Sequence, residues 1–141
     1  MLQKLPAAYF SGLKLREVNA EKCIIAIQPN WFNKNPFRSV YFACLSMAAE
    51  MSTGILAMMN LYGRQPAVSM LVIKMEAEYF KKVVGPVQFC CKDGENIQLA
   101  VEEAVVSHEA VTCKTKSIGV NPKGEVVAEF HFTWSFKVKS S

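Results

Sequence analysis

The sequence predicts an α+β domain in which one long buried helix is wrapped by a curved antiparallel sheet. Three stretches carry that expectation. From Ser39 to Gly63 there is a single charged residue, Glu50, with Arg38 before the stretch and Arg64 after it. Its Ala, Met and Leu content favours helix, and a helix apolar nearly all round belongs in a core or a membrane. From Ala67 to Phe80, apolar residues recur with period two, as in a half-buried strand. From Glu125 to Lys139, Phe130, Phe132, Trp134, Phe136 and Val138 alternate with Glu129, His131, Thr133, Ser135 and Lys137. The aromatic face of that closing strand would line the helix.

The elements follow in order. Leu2 to Phe10 reads as a short amphipathic helix with Pro6 in its first turn. Leu13 to Gln28 reads as one strand, apolar on both faces over Cys23–Ile27. Pro29 to Arg38 is a loop, rich in Asn and Pro, that also carries Trp31, Phe32 and Phe37. Ser39 is suited to cap the long helix and Gly63 to stop it. Such a helix is about 35 Å long at about 1.5 Å per residue. In the Ala67–Phe80 strand, Leu71, Ile73, Met75, Ala77 and Tyr79 point one way, and Lys74, Glu76 and Glu78 the other. After Val84-Gly85-Pro86, Val87 to Cys91 is a short strand. Gly94 to His108 fits either period, and its Ala and Glu content favours a short helix. Glu109 to Val120 is a strand, and Asn121-Pro122-Lys123-Gly124 is the turn into the last one.

Bulk properties narrow the function. The 141 residues suit one domain, 1–141, with a real core. A net charge of +4 on scattered lysines lacks the density of a nucleic-acid arm, yet would attract a small anion. The five cysteines form no CxxC pair and have no His at metal-ligand spacing, so no metal site and no cofactor is expected. They read as buried thiols of a reduced compartment, and no signal-peptide run opens the chain; the expected location is cytoplasmic. Ser39–Gly63 is long enough to span a membrane. Glu50 near its middle would cost roughly 2.5–3.5 kcal/mol there, and the strands around it supply a sheet instead.

The loop and helix start resemble those of hot-dog thioesterases of the phenylacetyl-CoA thioesterase type, in a branch labelled a domain of unknown function. In such enzymes a loop Asn is followed fifteen residues later by an acidic residue on the helix, the separation of Asn35 from Glu50. "MLVIKMEAEYFKKVVGPV" resembles the family's second strand, and "NPKGEVVAEFHFTWSFKVK" its closing hairpin. The resemblance covers nearly the whole chain and implies a hot-dog fold. One departure stands out: where such thioesterases carry His-Gly-Gly, this chain has Tyr41, Phe42 and Ala43.

The resemblance implies hydrolysis of an acyl-CoA or acyl-carrier thioester, with Glu50 as general base or nucleophile. Desolvation on an apolar helix would raise the pKa of Glu50 and make it a better base near neutrality. Asn35 would position water or the carbonyl, and the N–H of Phe42 or Ala43 would face the developing oxyanion. Glu50 could instead be a buried partner of Arg38, Arg64 or Tyr41, or reach solvent at a dimer seam. Ser39 and Tyr41 are substrate-binding candidates, or a helix cap and a packing residue. Lys81, Lys82 and Arg38 could meet nucleotide phosphates, or be solvated charges. Met47, Met51, Met58 and Met59 fill the core or line an acyl tunnel. His108 and His131 read as surface residues. A dehydratase would want a His where Tyr41 stands. A non-catalytic hot-dog protein that binds an acyl or other apolar ligand is the alternative function. Exposed sheet edges predict a homodimer or a dimer of dimers, with no nucleic-acid or membrane partner.

Overall fold

Alternation in the C-terminal third builds the sheet. A computed structural model describes residues 5–140, in the order α1 (Pro6–Phe10), β1 (Leu13–Val18), β2 (Cys23–Ile27), α2 (Phe42–Leu61), β3 (Val68–Tyr79), β4 (Val87–Cys91), α3 (Gly94–Ser107), β5 (Val111–Val120) and β6 (Val126–Val138). The six strands form one antiparallel sheet in the order β1-β2-β4-β5-β6-β3. Phe130, Phe132, Trp134 and Phe136 of β6 are buried, as their period predicts. The sheet curves round α2, and the architecture is the hot-dog fold.

On α2, the small residues Ala48, Ala49, Ser52, Gly54 and Ala57 are buried. They let the helix approach the sheet closely, and α2 packs against β2, β4, β5 and α3. By length and apolar character α2 alone among the described residues could cross a membrane, but 56% of its most apolar window lies inside the protein. Its burial is one-sided: Phe42, Met58 and Met59 are exposed, so Met58 and Met59 do not fill the core, whereas Met51 does.

Three expectations change. The long helix begins at Phe42, not Ser39, and its N-cap is Tyr41, whose side chain makes no capping bond. Ser39 is drawn into the preceding loop by Asn35, so it is not free to cap. Gly63 does follow the helix end, with φ +72°. Leu13–Gln28 is not one strand but the hairpin β1–β2. The side chain of Asn19 accepts from the N–H groups of Glu21 and Lys22 at 2.8 and 2.9 Å and turns the chain. An Asn serving as its own turn template explains the break.

In β3 the register slips between Val72 and Lys74. Val72 pairs with Trp134 and Met75 with Phe132, so both face the helix, while Leu71 pairs with Ser135 on the outer face. Leu71 is therefore 65% exposed. An extra residue on one strand reverses which side the period-two pattern faces. Met75, Ala77 and Tyr79 keep the expected side, but β3 is an edge strand, and Met75 and Tyr79 remain 47% and 44% exposed.

The concave side holds a second helix beside the first, in the stretch whose Ala and Glu content favours one. Gly94–Ser107 is α3, with Ile97, Ala100, Val101 and Ala104 buried against α2, β5 and β6. Gly94 is required at its start, because a Cβ there would lie 2.0 Å from the carbonyl oxygen of Ala20. The N-terminal helix spans Pro6–Phe10 with Pro6 in its first turn; the expected Leu2–Lys4 portion lies outside the described residues.

Candidate functional site

The row Phe42, Ser46, Glu50, Gly54 repeats every four residues, so it forms one stripe on α2. That stripe faces β3 and β6. The Phe42 ring meets the Tyr79 ring edge-on at 6.3 Å, and Ser46 Oγ lies 3.3 Å from the Tyr79 hydroxyl. At Gly54, a Cβ would lie 3.5 Å from Trp134 Cζ2. Glu50 thus sits beneath the β3–β6 edge of the sheet, half-buried. Its carboxylate makes no ion pair and no hydrogen bond among the described residues. Arg38, Arg64 and Tyr41, the candidate partners, do not pair with it. Burial alone pushes its pKa above the ordinary carboxylate range.

Asn35 and Ser39 occupy a different place. The Asn35 amide Nδ2 donates to Ser39 Oγ at 2.9 Å. Its Oδ1 accepts from the N–H groups of Phe37 and Ser39 and from the Ser39 hydroxyl, at 2.9, 3.2 and 3.1 Å. Every hydrogen bond that Asn35's side chain makes is thus spent within its own loop. Asn35→Ala is expected to destabilise the protein by about 1–3 kcal/mol through those lost bonds, read as a lower urea midpoint.

A cleft of about 360 Å³ brings together Asn35, Ser39, Phe42, Tyr79, Lys81 and Lys82. Five of the eight residues singled out in the sequence meet there, and Glu50, Tyr41 and Ala43 are not among its lining. Lys81 pairs with Glu125, whose carboxyl it holds below the ordinary range. Lys82 is exposed and makes no ion pair among the described residues. Tyr41 donates its backbone N–H to Asn33 O at 2.7 Å. The N–H groups of Phe42 and Ala43, in the first turn of α2, meet no acceptor among the described residues, as helix starts generally leave them.

Two features escape the sequence reading. Asn33 is fully buried, and its amide donates to Ser11 O and Gln28 O, both at 2.8 Å, pinning the loop to the body. Tyr79 carries a hydroxyl into the stripe. Ser46 back-bonds to Phe42 O at 3.0 Å, as a helical Ser does by default, but it also faces that hydroxyl. Burial pushes the Cys23 and Cys113 thiols up to about 11 and Cys91 to about 12, which makes these three poor nucleophiles. His131 stands 3.6 Å from Glu129 on the outer face, and His108 ends α3 in a left-handed conformation. No cluster of three metal-binding side chains occurs among the described residues.

Solved structures share this architecture. A protein of unknown function from Pseudomonas aeruginosa, called a probable thioesterase, superposes with a TM-score of 0.84 at 19% identity, over 98% of this chain and 91% of that one. A protein of unknown function from Chlorobaculum tepidum gives 0.82 at 16% identity, over 97% and 89%. A thioesterase enzyme from Staphylococcus aureus, solved with one glutamine changed to alanine, gives 0.70 at 13% identity, over 94% and 98%. The same protein was also solved with a glutamate changed to alanine fifteen residues further on. At these identities the likeness establishes the fold. No curated protein matches the chain. Residues 1–136 match the family described as Domain of unknown function (DUF4442), and the chain belongs to that family.

Proposed function

We propose that this protein hydrolyses a thioester of the acyl-CoA or acyl-carrier kind, with Glu50 as general base or nucleophile. One observation carries the reading: a half-buried carboxylate, on the stripe of α2 that faces β3 and β6, has no ion pair or hydrogen bond among the described residues. A structural carboxylate in such a place would be paired. A desolvated, unpaired one is a base able to take a proton from water attacking a thioester carbonyl. The carbonyl then becomes an oxyanion, the tetrahedral intermediate expels the thiolate, and the acid is released. The spacing of Asn35 and Glu50 agrees with the separation of the two positions substituted in the Staphylococcus aureus thioesterase.

The unspent N–H groups of Phe42 and Ala43 are the oxyanion donors in this reading. They lie roughly 10–12 Å from Glu50 along the helix axis at about 1.5 Å per residue, too far for donor and base to reach one carbonyl in a single protomer. A second copy across the exposed β3 edge would bring one protomer's Glu50 opposite the other's helix start. Leu71, Ile73 and Met75, each about half or more exposed on that edge, are covered in such a dimer. Light scattering is expected to show a dimer or a larger assembly, and a stable monomer at micromolar concentration would overturn this arrangement. Lys82 and Arg38, beside the helix start, would then meet the phosphates of the carrier.

A panel of acyl-CoA and acyl-carrier thioesters, with release of free thiol followed over time, tests the function. Non-catalytic binding of an acyl ligand is the second reading. It is favoured by the bulk of Tyr41, Phe42 and Ala43 at the helix start and by the commitment of Asn35 to its loop. Absence of turnover on the whole panel, with an acyl ligand retained by the purified protein, would decide for it.

A further inference from the structure

Glycine weakens a helix interior relative to alanine, yet α2 carries Gly54 near its middle, buried and in ordinary helical conformation. No left-handed backbone calls for it. Its surroundings do. A Cβ at Gly54 would lie 3.1 Å from Glu50 Oε1 and 3.5 and 3.6 Å from the Cζ2 and Cη2 atoms of Trp134.

The indole cannot yield. Trp134 is 4% exposed, and its Nε1–H donates to Thr53 Oγ1 at 2.9 Å. Thr53 Oγ1 in turn donates to the carbonyl of Glu50 at 2.9 Å. The helix and the fixed ring edge are rigid walls, so the group that would move is the carboxylate. We propose that Gly54 is a positioning residue: its missing side chain leaves a hollow bordered by the Glu50 carboxylate on one side and the edge of Trp134 on the other. The inference rests on Glu50 being the reactive group for its consequence in turnover, but not for the placement itself.

The hollow explains how an unpaired carboxylate keeps one position. No neighbouring charge acts on Glu50. The other polar side chain on its stripe is Ser46, whose hydroxyl lies 3.3 Å from that of Tyr79 on β3. Shape is the remaining means of holding it. A methyl at position 54 would crowd Glu50 Oε1 and shift the carboxylate by a few tenths of an ångström, toward the open β3 side.

Gly54→Ala tests this, with carbon-13 titration of the Glu50 carboxyl as a readout that needs no substrate. The titration midpoint is expected to fall toward the ordinary carboxylate range, while the melting temperature stays level or rises. Turnover is expected to drop about tenfold with KM within about twofold, since small misplacements of a reacting group carry losses of that order. An unchanged Glu50 midpoint in folded Gly54→Ala would overturn the proposal, whatever the turnover. Failure of both Gly54→Ala and Gly54→Ser to fold would also overturn it, because the hollow would then serve packing. If the wild type hydrolyses no thioester, the hydrolase reading falls while the titration still decides the role of Gly54.

Discussion

Glu50→Gln is expected to lower thioester hydrolysis by about 10²-fold or more, the usual loss when a general base is removed. Gln keeps size and polarity, so the fold should survive. The structure sharpens the stability side of this test. With no arginine bound to Glu50, its removal strands no buried cation, and the loss expected for a broken buried pair does not arise. Burial instead raises the folded-state pKa of Glu50. The folded protein therefore binds more protons than the unfolded chain between the two pKa values, and stability falls as pH rises through that interval. Glu50→Gln should melt at or above the wild-type temperature at pH 8, with the difference closing below the ordinary carboxylate range, about pH 4. Wild-type turnover in the folded variant would remove Glu50 from the mechanism. A large drop in melting temperature would mean that it has a cationic partner in the assembled protein.

Trp134→Ala is expected to destabilise the protein by about 3–5 kcal/mol, as truncation of a buried large aromatic does. Trp134 lies between Phe132 and Phe136 on the inner face of β6, pairs with Cys113 and Val72, and is almost fully buried. Its removal also takes the indole donor from Thr53. Trp134→Phe, which keeps most of the apolar volume, should lose less. Both are read by urea denaturation monitored in the far-ultraviolet. A loss under about 1 kcal/mol for the alanine variant would contradict the burial of this face, since large core truncations fall well above that figure.

The two substitutions probe parts of the protein that were unequally legible in the sequence. β6 was readable because its signal is local: aromatic and polar residues alternate without interruption, and a strand covered on one face has no other way to place them. The long helix was readable for a similar reason, its composition leaving one charge in a run of apolar residues. Where the structure departs from those readings, a single residue acts against the pattern. Asn19 turns the chain inside a run that otherwise reads as one strand. A one-residue slip after Val72 sends Leu71 outward although the alternation through it is unbroken. Asn35 takes Ser39 from the helix and so moves its start to Phe42.

For the site, the sequence by itself determined that one carboxylate would lie on an apolar helix, and which residues open that helix. Desolvation of Glu50 follows from those neighbours alone. Only the tertiary structure decided that this carboxylate is unpaired among the described residues, that its stripe faces the edge strand, and that the Asn35–Ser39 cleft opens at the other end of that stripe. It also decided that Gly54 and Trp134 shape the space beside it. These are matters of contact between segments eighty residues apart in the chain, such as Thr53 and Trp134. A pattern of period two or 3.6 tells which way a side chain points from its own element; what it meets there is settled by the sheet that folds over it.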